Sequence, residues 1–198
     1  QPSLEMRELM ANAAVGDDVY QDDATMNEFE TKVAKLFGKE AGVFVTSGSL
    51  SNQLGIRLLV KPGEELITET NSHIVRAELG AAATFSGITT RTWQADRGVV
   101  KADDVIEICK PNSGPYLVST KAIAIENTHN FGGGSVQSLK EISRISEFAK
   151  NNGMAMHLDG ARVWNAHIAS GASFVELAKD FDSVSVCFSK GLGAPIGS

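Results

Sequence analysis

Lys190 stands two positions after the end of the apolar run SVSVCF at 183–188, with Ser189 between, and before Gly191 and Gly193. An amine there has a low-dielectric strand on one side and flexible backbone on the other. Desolvation lowers an amine's pKa, and a neutral amine can form a Schiff base; an isolated lysine at a strand end is more often simply solvated. Asp159 closes the run HLD at 157–159 and precedes Gly160. A carboxylate so placed can hold a pyridine nitrogen in its protonated, electron-withdrawing form, and it is equally a turn former or helix cap. Ser47-Gly48-Ser49 precedes an apolar-periodic stretch that begins at Leu50. Backbone N–H groups at a helix start, with the Ser49 hydroxyl, make a phosphate cradle that needs no net positive charge, although Ser-Gly-Ser is also a common turn. Arg162, three residues after Asp159, has the fork geometry for a substrate carboxylate or is a surface arginine. His73, after Asn71 and Ser72, offers an aromatic face and a proton acceptor near neutral pH, or fills a structural role.

Other motifs carry less. His157 and Asp159 lie two apart and so share a strand face, as metal ligands do. No third ligand follows at a telling spacing, so no metal is expected. Gly191, Gly193 and Gly197 resemble a dinucleotide loop only superficially, since the third glycine falls one position late. GxxxxGK[ST], GxSxG and SxxK are all missing. The triple glycine at 132–134 reads as a tight turn.

Positioning these residues is the task of helices alternating with short apolar strands. Helical spacing covers 4–14, 25–38 (with Gly38 as a stop), 50–60, 77–85, 139–151 and the neighbourhood of 175–179. Strands are predicted at 43–45, 65–68, 88–93, 121–126, 155–158 and 183–188, with a turn at 96–98. Strands separated by helices predict right-handed βαβ units, hence an α/β fold with a mostly parallel sheet. Ligands bind such sheets beyond the carboxyl ends of the strands. Four clusters, at 47–49, 126–129, 159–162 and 189–191, are therefore expected to converge on one edge. No linker or repeat divides residues 1–198, which read as a single domain.

The composition fits an ordinary globular chain: 198 residues, 42% hydrophobic, with 18 Lys and Arg against 24 Asp and Glu for a net charge of −6. That acidic balance argues against nucleic acid as a partner. No apolar run has the roughly 18 residues of a membrane span, and no secretory leader opens the sequence. Cys109 and Cys187 lie far apart, without CxxC spacing. They read as reduced core thiols of a cytoplasmic protein.

Together, SGSLSNQ at 47–53, HLDGAR at 157–162 and SKGLGAPIGS at 189–198 have the parts of a pyridoxal-phosphate site. The sequence resembles the low-specificity L-threonine aldolases, in the fold-type I group of pyridoxal-phosphate enzymes. VGDDVYQDDATMNEFE at 15–30, the HI at 73–74 with Glu78, ENTHNFGGG at 126–134 and HLDGARVWNA at 157–166 extend the likeness over nearly the whole chain. The resemblance implies a fold-type I large domain, cut short on its C-terminal side. It implies pyridoxal 5'-phosphate as cofactor, held in imine linkage by Lys190, with Asp159 on the ring nitrogen, His73 stacked on the ring, and Gly48 and Ser49 at the phosphate. Arg162 matches the arginine for the substrate carboxylate, and His73, acting directly or through a water, is the candidate base. The implied reaction cleaves L-threonine or L-allo-threonine to glycine and an aldehyde. Alanine racemisation and β-elimination use the same motifs, and a non-catalytic fragment is a further reading. A small amino acid as substrate and a homodimer or homotetramer are implied as well, with Tyr20 facing the partner's site. Ser49 departs from the threonine usual in the family. The family's N-terminal segment rich in Asp, Arg and Ser, and its smaller C-terminal domain with a second carboxylate-binding arginine, are expected to lie outside these 198 residues.

Overall fold

The computed structural model describes all of residues 1–198. Five parallel strands form its sheet: β1 (Glu65–Glu69), β2 (Thr89–Trp93), β3 (Thr120–Glu126), β4 (Ala155–Gly160) and β5 (Ser183–Val186), in the order β2-β1-β3-β4-β5. Nine helices accompany them: α1 (Leu4–Asn12), α2 (Ala24–Phe37), α3 (Gly48–Leu59), α4 (His73–Arg76), α5 (Ala81–Ser86), α6 (Ala102–Ile108), α7 (Leu139–Asn151), α8 (Val163–Ser170) and α9 (Phe174–Ala178).

Alternation along the strands divides the interior into two layers of contact. Ile67, Ile123, Ile125, Met156 and Leu158 point into a large core completed by Val105, Ile142, Ile145, Val163 and Leu177 from α6, α7, α8 and α9. On the opposite face Leu66, Ala122 and Ala124 meet Ile56 and Val60 of the α3 region and Ile74 and Ala82 of α4 and α5. Small side chains on this second face let α3 come close. A Cβ on Gly55 would lie 2.8 Å from the His157 ring, so the helix backbone rests directly on β4. His157 and Asp159 share that face, opposite Ser183 and Ser185 in the register of β5. The polar groups therefore line the side of the sheet that α3 covers, near the carboxyl ends of the strands.

Capping explains where several elements begin. Ser47, Asp23, Ser138 and Ser173 each accept a backbone N–H as N-caps of α3, α2, α7 and α9. Gly38 ends α2 in the left-handed conformation, as the sequence reading expects.

Two sequence expectations are corrected. The predicted strand at 43–45 is not part of the sheet. Val43 is exposed, and Val45 exchanges backbone hydrogen bonds only with Ser198. The predicted helix at 77–85 is divided, with α4 ending before it and α5 starting at Ala81, because Leu79 and Gly80 both take positive φ. The triple glycine does form turns, and no helix is long and apolar enough to cross a membrane.

Candidate active site

Asp159 is buried at the end of β4. Its Oδ1 accepts the Ala161 N–H at 3.1 Å, and its Oδ2 accepts an Asn52 side-chain N–H at 2.8 Å. Asn52 lies on α3, one helical turn after Gly48. Lys190 donates its amine to the Cys187 thiol at 3.0 Å. Next to that contact, a Cβ on Gly48 would stand 2.6 Å from the Cys187 sulfur and 3.7 Å from the Lys190 amine. The amine and the carboxylate thus flank the same helix at positions one turn apart, a rise of about 6 Å. No carboxylate pairs with Lys190, whose only side-chain hydrogen bond is to the sulfur.

His73 opens α4 at the carboxyl end of β1, with its backbone N–H on the Glu126 carboxylate at 2.8 Å. Its Nδ1 lies 2.9 Å from Oε1 of Glu78, a buried carboxylate that also accepts from Asn52 at 2.8 Å and from Gln53. The hydrogen bond to Glu78 raises the His73 pKa above the usual imidazole range, against the opposing effect of burial, and the charges of Asp159, Glu78 and Glu126 add to the rise. Nε2 of His73 has no protein partner, and about a quarter of the side chain (27%) is exposed. Burial, with the nearby Asp159 charge, raises the Glu126 pKa.

The remaining candidates join the same edge less tightly. Ser47 takes the Leu50 N–H as N-cap, which leaves the N–H groups of Gly48 and Ser49 without intrahelical acceptors at the start of α3. Ser49 is half-buried beside them. Arg162, half-buried at the N-terminal boundary of α8, makes no side-chain hydrogen bond. His157 is not a metal ligand. It is fully buried, with Nδ1 2.8 Å from the Ser183 hydroxyl and Nε2 3.0 Å from Asn52 Oδ1, and burial pushes its pKa down to about 4. Ligand atoms of His73, Glu78 and Asp159 do gather within 4.8 Å of one another. The Asn52 amide lies between the two carboxylates and presents N–H donors there, which repels a cation.

Sequence reasoning left several residues of this edge without a role: Asn52, Gln53, Glu78, Glu126, Ser183 and Cys187. One local signal pointed to Asn52, which stands four residues after Gly48 and so on the same helix face. Contacts between Asn52 and Asp159, 107 positions apart, carry no such signal.

The beta-eliminating lyase family pattern matches residues 1–198. Low-specificity L-threonine aldolase 1 of Arabidopsis thaliana is 40% identical over 201 aligned positions, covering 100% of this chain and 56% of the relative. The low-specificity L-threonine aldolase of Candida albicans is 40% identical over 191 positions, covering 94% of this chain and 50% of the relative. A solved structure of Leishmania major threonine aldolase superposes with a TM-score of 0.86 at 23% identity, over 98% of this chain and 57% of that one, and supports the fold. The chain spans about half the length of the curated relatives it matches.

Proposed function

The chain belongs to the beta-eliminating lyase family, and from that premise we propose that it forms the cofactor-binding part of a pyridoxal-phosphate-dependent carbon–carbon lyase. Its substrates would be L-threonine or L-allo-threonine, cleaved to glycine and an aldehyde. The observation that carries this reading is the placement of the Lys190 amine and the Asp159 carboxylate against α3, one turn apart. The two named relatives are L-threonine aldolases.

The residues fit the cofactor. Ser185 Oγ is buried without a partner and lies beside Asp159 in the register of β4 and β5, a polar position suited to a polar ligand. Any side chain at Gly48 would fill the space next to the amine. The donor set has one amine for an aldehyde carbon, one buried carboxylate for a cationic ring nitrogen, and free N–H groups at the start of α3 for a phosphate. When bound, pyridoxal phosphate supplies an electron sink that stabilises negative charge on the substrate's Cα.

The chain's own groups do the rest. Lys190 holds the cofactor, Asp159 keeps its ring nitrogen protonated, and Gly48 and Ser49 bind its phosphate. Arg162 takes the substrate carboxylate, while His73 covers the ring. With Nδ1–H held by Glu78, the neutral His73 ring offers its Nε2 lone pair to the proton of the substrate's β-hydroxyl. A homodimer or homotetramer belongs to the same reading, supported by an α1 that buries no residue on its own chain and exposes Leu4, Leu9 and Met10. So does a cytoplasmic location, supported by two buried free thiols.

The test is product analysis with pyridoxal phosphate present. L-Threonine should give glycine and acetaldehyde, and Lys190→Ala should abolish turnover. Conversion of L-alanine to D-alanine with threonine left intact would replace the aldolase by a racemase. Full turnover in Lys190→Ala would remove the whole assignment.

A further inference from the structure

Asn52 is 98% buried, yet it contacts three ionisable groups. One amide nitrogen lies 2.8 Å from Glu78 Oε1 and 2.8 Å from Asp159 Oδ2, while Oδ1 lies 3.0 Å from His157 Nε2. Hydrogen-bond chemistry fixes the direction of every link. Ionised carboxylates only accept, so both must take N–H from the amide nitrogen, and the amide oxygen is left to accept from His157. His157 then carries its proton on Nε2, and its Nδ1 accepts from Ser183. The chain of donors runs Ser183 to His157 to Asn52, and there it divides between Asp159 and Glu78, with His73 donating to Glu78 from the other side.

We propose that Asn52 is a positioning residue whose amide holds the Asp159 and Glu78 carboxylates ionised side by side, and so sets both the charge offered to the cofactor ring and the proton affinity of His73. The proposal rests on reading this edge as a pyridoxal-phosphate site. Two neighbouring carboxylates normally drive one another to take up a proton. A shared donor offsets that repulsion, which matters here because Asp159 must be an anion to hold a ring nitrogen cationic. Several groups face this amide and its partners. Glu126 approaches from β3, His157 from β4, His73 and Glu78 from the segment between β1 and α5, and Lys190 from beyond the first turn of α3. Glu69 and His129 form a separate closed pair, 3.0 Å apart, at the ends of β1 and β3. His157 stays neutral because it is fully buried, which preserves the single direction of the chain. The same contact gives Asn52 control over His73, since Glu78 Oε1 is shared by the Asn52 amide and His73 Nδ1. Without the amide donor that oxygen turns wholly to His73 and binds its proton more strongly.

The test begins with the unmodified protein. Nitrogen-15 NMR of the histidine rings at pH 7 should find His157 as the Nε2–H tautomer. The Nδ1–H tautomer would reverse the amide and overturn the proposal without need of any variant. Asn52→Leu then removes the donor with little change of volume. In this variant the His73 titration midpoint should rise by about half a pH unit or more. Pyridoxal-phosphate affinity, followed by the cofactor's absorbance, should fall about tenfold, as expected when a buried charge loses its donor. A residue with only a structural role would lower the melting temperature and leave the His73 midpoint in place; that result in a folded variant would overturn the proposal. If the unmodified protein bound no pyridoxal phosphate, the functional reading would fail, while the histidine spectra would still decide the role of Asn52.

Discussion

In its proposed role His73 is useful as a base only while neutral, so its raised pKa has a direct consequence for pH dependence. The ring is cationic below its midpoint and becomes a base as pH rises through it, so the acid limb of kcat/KM should lie above the ordinary imidazole value of about 6.5. The Glu78 hydrogen bond is the largest cause of that rise. Glu78→Gln keeps the shape and removes the charge, and should move the acid limb down by about one pH unit. A pH–rate profile checks this, and an unmoved limb would mean that some other group takes the proton. Asp159 and Lys190 were legible as residues of the sheet's carboxyl edge because each stands at or just beyond the end of a predicted strand, while His73 was singled out by its residue type. Glu126 was expected on that edge without a role, and Cys187 was read as a core thiol. A glutamate and a cysteine beside an apolar run look the same whether they face solvent, core or ligand, and only the fold distinguishes them.

The start of α3 depends on a close approach. Gly48 has no φ that demands glycine, but a Cβ there would stand 2.6 Å from the Cys187 sulfur, which is itself bonded to Lys190. Gly48→Ala should therefore cost about 1–3 kcal/mol of overpacking and weaken pyridoxal-phosphate binding. Cys187→Ala in the same chain removes the sulfur and should restore most of the loss. Cofactor titration of the two single variants and the double variant measures the coupling, and additive losses would show that the sulfur is not the obstacle. Strands were the easier elements to read. The apolar runs of β3, and of β5 with Cys187 and Phe188, have few alternatives once helices flank them. The 43–45 segment has the same composition, but its backbone bonds to Ser198 and to the Glu30 side chain rather than to a strand, pairings between distant positions that no local pattern contains. Likewise α6 went unread. Its first N–H groups have no N-cap side chain of their own, and the Ala102 N–H is taken by Glu141 of α7, 39 positions away.

The stability of the whole molecule should carry the signature of His157. Burial holds its folded pKa at about 4, whereas in the unfolded chain it titrates near 6.5. Between those values the unfolded state binds the additional proton, so stability is intact above about pH 6.5 and is lost as pH falls towards 4. At pH 5 the loss from this one group is about 2 kcal/mol. Melting curves should fall between pH 7 and pH 5, and His157→Asn should flatten that fall; an equally steep curve in the variant would place the acid sensitivity elsewhere. The large-scale plan of the molecule was legible because alternating strands and helices admit few topologies. The strand order was less so, and it has the wider consequence. Successive connections leave β1 and β3 in opposite directions, which opens a crevice at their carboxyl ends. His73 stands just beyond the end of β1, beside that crevice, and Asn52, Asp159 and Lys190 come from three other stretches of chain. On the proposed reading no single loop owns the chemistry, so exchanging one stretch should redirect which bond is broken while the scaffold beneath keeps its shape.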